Sequence, residues 1–149
     1  MQLTFLWITS STGMKPIPVT RYFLDTNVLV YATERSSTKA LRANELIMGK
    51  AVISVQVLNE FTRVLMRKAG KTVEEVKLAL APIKLGAEVF PLTRETHELA
   101  LEIVRRHNFA IFDANIVAAA ELAGCDVLYT EDLNEGQRIG RVTICNPFM

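Results

Sequence analysis

Cysteine and histidine are nearly missing from this chain. Cys125 and Cys145 stand 20 positions apart with no CxxC spacing, and the only histidines are His97 and His107. This scarcity argues against a zinc site and a thiol redox pair, and it leaves no Ser-His-Asp or Cys-His arrangement for metal-free nucleophilic catalysis. The two cysteines read as small apolar strand residues in a reducing cytosol. Long apolar runs are missing too. The richest stretch, Ile116 to Leu128, is broken by Glu121 and Asp126 and falls short of the roughly 20 residues that span a bilayer. The opening segment has a short apolar patch, Leu3 to Ile8, with no basic residue before it and no small-residue cleavage site after a proper apolar run, so it is not read as a signal peptide. Seven glycines and five prolines are too few for a disordered or fibrous chain.

What remains is a chain of 149 residues, half of them hydrophobic, with material for one sizeable core. Met1 to Thr20 shows no clear period and contains Pro16 and Pro18; it reads as an N-terminal extension, with Met14 an alternative start. From Arg21 to the end, strand-like runs alternate with helical patterns, the signature of βαβ units around a parallel sheet. The expected fold is therefore α/β, a single three-layer domain over 21–149 with a central parallel sheet flanked by helices. Strands are expected at Arg21 to Leu24, Ala51 to Ser54, Glu88 to Leu92, Asp126 to Thr130 and Val142 to Cys145.

Helix punctuation is clear. Ser36 or Ser37 can cap a helix ending at Met48 before Gly49, and Ser54 one running to Lys68 before Gly70. Thr72 with Glu75 has capping-box spacing, and Thr93 opens a helix to about His107. Phe112 to Ala123 reads as a nearly all-apolar, buried helix.

Charge is unevenly placed although the net is only +1. Arg35 to Lys71 carries eight basic residues against two acids, whereas His107 to Glu135 carries six acids and no Lys or Arg. An acidic pocket beside a basic surface suits a metal site that serves a polyanion, and solvated helix faces are the plainer alternative.

Four carboxylates stand out. Asp25 follows the first strand at the carboxyl edge where open α/β sheets place ligands, with an Asx turn as the ordinary explanation. Glu60 flanks the apolar stripe Val57, Phe61, Val64 and Leu65; it either pairs with Arg63 at i+3 or ligates a metal. Arg63 and Arg67 share its flank as candidate phosphate contacts. Asp113 opens an apolar helix, where it could satisfy free backbone donors. Asp132 follows a strand, with Glu131 as an equally placed neighbour. A parallel sheet would bring all four to one edge, where carboxylates repel unless protonated or neutralised by a cation. Oxygen ligands without Cys or His choose hard ions, so Mg²⁺ or Mn²⁺ is the expected cofactor.

Phe23-Leu24-Asp25-Thr26-Asn27-Val28-Leu29, Ser54-Val55-Gln56-Val57-Leu58-Asn59-Glu60-Phe61 and Phe112-Asp113-Ala114 through Tyr129-Thr130-Glu131-Asp132-Leu133 together resemble the PIN-domain family, especially its VapC-type toxin ribonucleases. The resemblance covers nearly everything from Arg21 to Pro147. It implies that Asp25, Glu60, Asp113 and Asp132 occupy the family's acidic metal-site positions and that Asn27 and Thr130 are its supporting polar positions. Phe112 stands where relatives often carry Trp or Tyr. The implied activity is metal-dependent cleavage of RNA in the cytoplasm, by a homodimer held inactive by a cognate antitoxin. Asp25 and Asp113 are the expected direct ligands; Glu60 and Asp132 would complete the shell or orient the attacking water. Two rivals are a non-catalytic protein that binds RNA or a partner, and an aspartyl phosphatase. The second rests on a faint likeness of Asp25-Thr26-Asn27-Val28 to the haloacid dehalogenase motif, which wants a second Asp where Asn27 stands.

Overall fold

The computed structural model describes residues 5–8, 15–18, 20–35 and 37–149. Ser36, one of the two expected caps, and Met14, the alternative start, lie outside the described residues. The order of elements is β1 (Phe5–Ile8), β2 (Lys15–Pro18), β3 (Tyr22–Leu24), α1 (Thr26–Ala32), α2 (Thr38–Met48), β4 (Val52–Ser54), α3 (Val55–Arg67), α4 (Val73–Gly86), β5 (Glu88–Phe90), α5 (Arg94–His107), α6 (Ile111–Leu122), β6 (Val127–Tyr129), β7 (Arg138–Ile139) and β8 (Val142–Cys145).

Six strands form one sheet in the order β5-β4-β3-β6-β8-β7, parallel throughout except for β7 against β8. The α/β architecture expected from the sequence is the one observed. The central strand β3 pairs with β6, Phe23 opposite Leu128, and with β4, Phe23 opposite Val52. Phe23, Leu24, Val52, Ile53 and Leu128 are all fully buried, as strands covered on both faces require. From β3 the chain turns toward β4, and from β6 it turns the opposite way toward β8. The carboxyl ends of these neighbouring strands therefore flank a crevice, the place where open parallel sheets receive ligands.

The helix signals translate well. Ser37 caps α2 by accepting from Ala40 N, Ser54 caps α3 by accepting from Val57 N, and Thr72 and Glu75 form the reciprocal capping box of α4. The left-handed Gly70, at φ +63°, lies just past α3, where an L side chain would be strained.

Three features differ from expectation. The segment after Asp25 is not merely an Asx turn: Asp25 is the N-cap of α1, a seven-residue helix. The N-terminal extension contains two strands, β1 and β2, that pair antiparallel in a separate two-stranded sheet. Cys125 is fully buried but sits in the turn ahead of β6, while Cys145 lies in β8; both are free thiols. Burial pushes the Cys125 thiol up to about 12, which keeps it an inert apolar filler.

Candidate active site

A cleft of about 1060 Å³ opens along the carboxyl edge of the sheet. Glu60 from α3, Asp113 from the first turn of α6, and Glu131 and Asp132 from the loop after β6 all line it. So do Arg63, Arg67 and Lys68, which continue along α3. The basic and acidic segments thus meet in one cleft.

Asp25 lies deeper, only 5% exposed, at the junction of β3 and α1. Its Oδ1 accepts from Thr26 N at 2.7 Å and its Oδ2 from the Thr130 hydroxyl at 2.8 Å. Burial pushes its carboxyl up to about 7; the bonds from Thr130 and Thr26 pull the other way, and the charges of Glu60 and Asp132 push it further up. Each carboxylate oxygen has a second lone pair, so two bonds leave room for a further partner.

Thr130 ties the floor together. While donating to Asp25, its oxygen accepts from Asn27 Nδ2 and from Asp132 N, both at 3.1 Å. One donor and two lone pairs are the full capacity of a hydroxyl. Asn27 also donates to Asp132 Oδ2 at 3.0 Å, and its own Oδ1 is buried without a partner among the described residues.

Glu60 does not take the local partner available to it. Its Oε2 accepts from the Thr26 hydroxyl at 3.0 Å and its Oε1 from Gln56 Nε2 at 2.8 Å, and among the described residues it forms no ion pair with Arg63. Asp113 likewise lacks its ordinary explanation. Ala110 is the N-cap of α6 and supplies no side-chain bond, and the carboxylate of Asp113, third in the helix, has no hydrogen-bond partner among the described residues. Burial raises its carboxyl, and the charges of Glu60 and Asp132 add to the shift.

Lys39 sets Glu131 apart from its neighbour Asp132. Lys39 forms an ion pair with Glu131 and reaches the Tyr31 hydroxyl at 3.2 Å, with its ammonium 4.5 Å from the Tyr31 ring and 5.3 Å from the Phe148 ring. Burial works to raise Glu131, but the bonds from Lys39 and Tyr31 outweigh it and hold the carboxyl below its ordinary value. Glu131 is neutralised on the rim. Asp132 remains with Asn27 and the other acids.

Thr26, Gln56 and Lys39 escaped the sequence reading. Gln56 could have been found as the i−4 neighbour of Glu60; the other two depend on tertiary placement. Among the described residues, no three His, Cys, Asp or Glu side chains are gathered closely enough to hold an ion as they stand. The donor set nonetheless fits a hard cation: carboxylate oxygens, a buried amide oxygen without a partner among the described residues, and two carboxyls raised first by burial and then by the charges of neighbouring acids.

A parallel α/β sheet with an acidic cleft at its carboxyl edge defines a class of small α/β domains whose site is assembled from loops and helix starts. The chain belongs to the PIN-domain family, whose family model matches residues 22–140. Solved structures with a similar fold include VapC20 of Mycobacterium tuberculosis, described as a sarcin-ricin loop cleaving toxin, at 24% identity and TM-score 0.61, covering 74% of this chain and 89% of that one. VapBC2 from Rickettsia felis, bound to a DNA fragment from its promoter, is 20% identical at TM-score 0.63, covering 84% and 97%. DNA-bound VapBC from Salmonella typhimurium is 22% identical at TM-score 0.61, covering 87% and 99%. At these identities the likeness is one of fold. No curated protein sequence matches the chain.

Proposed function

We propose that this protein is a divalent-metal-dependent endoribonuclease, the toxin of a type II toxin–antitoxin pair. The observation that carries the reading is the meeting of Glu60, Asp113 and Asp132 in one cleft, with Asp25, the cap of α1, buried where it feels the charges of Glu60 and Asp132. Asp25 and Asp113 have raised carboxyls, and among the described residues neither Glu60 nor Asp113 has a local ion pair or serves as a cap. A structural use of so many neighbouring acids would pair them with cations, and among the described residues none of these four forms an ion pair. Lys39 serves only Glu131.

Mg²⁺ or Mn²⁺ would be held by Asp25, Glu60, Asp113 and Asp132, where it would polarise a scissile phosphate and acidify a water. The chain's own residues do the rest. Thr130 and Asn27 orient Asp25 and Asp132, and Thr26 and Gln56 orient Glu60. A carboxylate not engaged by the ion takes the proton from the attacking water. Arg63, Arg67 and Lys68 hold neighbouring phosphates along the cleft.

Within this reading residues 21–149 are the nuclease domain and 1–20 an extension, and the protein works in the cytoplasm as a homodimer restrained by its antitoxin. Among the described residues no helix is long and apolar enough to cross a membrane. Several proteins of similar fold were solved as toxin–antitoxin complexes, which supports such a partner. The deciding experiment is RNA cleavage by the purified chain in Mg²⁺, in Mn²⁺ and in excess EDTA, beside Asp25→Asn and Asp113→Asn. Cleavage should need the metal and both acids; undiminished cutting in EDTA would overturn the proposal.

A further inference from the structure

Phe112 breaks the pattern of its own helix. Every residue of α6 from Ala114 to Ala120 is buried, yet Phe112 is 60% exposed and contributes nothing to the hydrophobic core. A single apolar side chain on open surface needs no explanation. Phe112, however, is not on open surface: it lines the cleft beside Asp113, among acids and the cations of α3. Among the described residues no other aromatic ring pairs with it and no cation lies over it, and more than half of its surface is open to solvent.

The cleft thus offers two kinds of contact side by side. Arg63 and Arg67 follow Glu60 by three and seven positions on one face of α3, a track of about 10 Å. Neither forms an ion pair among the described residues, so their guanidiniums are available to phosphates. A flat aromatic face beside a cationic track fits a ligand that is both polyanionic and planar. A nucleic-acid strand has both properties only where its bases are unpaired, because in a duplex each base face is covered by its neighbours and the edges are paired.

We propose, on the nuclease reading above, that Phe112 is the platform on which an unpaired base of the RNA stacks next to the bond to be cut. Phe112 selects the splayed nucleotide, while Arg63 and Arg67 hold the backbone without regard to sequence.

The test measures binding by the full chain in Mg²⁺, carrying Asp113→Asn so that the RNA stays uncut. The probes are a labelled single-stranded oligoribonucleotide, the same backbone with abasic sites, and a blunt duplex. The strand with bases should bind roughly five- to a hundredfold more tightly than the abasic backbone, the range that one stacked base contributes. Adding Phe112→Ala should erase that preference and leave abasic binding unchanged. Phe112→Trp should retain it, and Phe112→Leu, apolar but without a π-face, should lose it. An equal loss on both strands, full retention by the Leu variant, or preference for the duplex would overturn the platform. Cleavage by the otherwise wild-type chain separates the two readings: if it cuts RNA while Phe112→Ala changes nothing, only the platform fails, and if it cuts no RNA with any metal, both fail.

Discussion

The Thr130 hydroxyl donates to Asp25 at 2.8 Å across 105 positions of sequence, and the same oxygen accepts from Asn27 and from the backbone of Asp132. One buried oxygen thereby fixes the floor of the acidic cleft. Thr130→Val keeps the shape and removes all three bonds, so it should cost about 1–3 kcal/mol in urea unfolding, and Thr130→Ser should recover most of it. Equal stability of the Val variant would mean that the three groups find other partners.

The Asp25 carboxyl, pushed up to about 7, gives the metal-free protein an unusual dependence on pH. The folded chain holds this proton more tightly than the unfolded chain, whose aspartate titrates near the ordinary value of 3.8. Its contribution to stability is complete below that ordinary value and is lost as pH rises through about 7. Urea midpoints in EDTA should therefore fall between about pH 5 and 7.5, and Asp25→Asn should flatten the fall. Stability that rises over this window in EDTA and is unaffected by the substitution would refute the assignment.

Asp113 caps nothing and pairs with nothing among the described residues, so its replacement has little to remove except repulsion. Asp113→Asn in EDTA should melt at or above the wild-type temperature. Mg²⁺ should raise the melting temperature of the wild type by binding only the folded form, with about 2.7 kcal/mol of stabilisation at a hundredfold excess over the dissociation constant. A wild type indifferent to Mg²⁺ would make these acids structural.

Arg63 and Arg67 are exposed and outside every ion pair among the described residues, so replacing both by Ala should move folding stability by less than about 0.5 kcal/mol. RNA affinity should fall and the salt dependence of binding should flatten, because fewer counterions are released. An unchanged salt slope would make this flank a merely solvated face.

What the sequence disclosed depended on range. Caps at Ser37, Ser54 and Thr72 were readable because each acts within one helical turn. Helix α1 was not, since Thr26–Ala32 is rich in β-branched residues, and the burial of Val28 and Leu29 decides its form. The two-residue strand β7 is set by its pairing with β8, with left-handed Gly136 and Gly140 at φ +79° and +58° to either side. That four acids would gather at one edge followed from strand polarity alone. Which groups would steady them did not: Glu60 turns to Thr26 and Gln56 instead of Arg63, and Lys39, far away in sequence, separates Glu131 from Asp132.

In the sheet, the first strand of the crevice waits for a neighbour made about a hundred residues later, since Tyr22 pairs with Val127. On a ribosome, Asp25 emerges early and lacks its bond from Thr130 until β6 has been made. The acidic cleft is therefore without its floor during most of the chain's synthesis. A chain interrupted before β6 is released without the completed floor, which under the proposed nuclease reading keeps unfinished chains from acting on RNA.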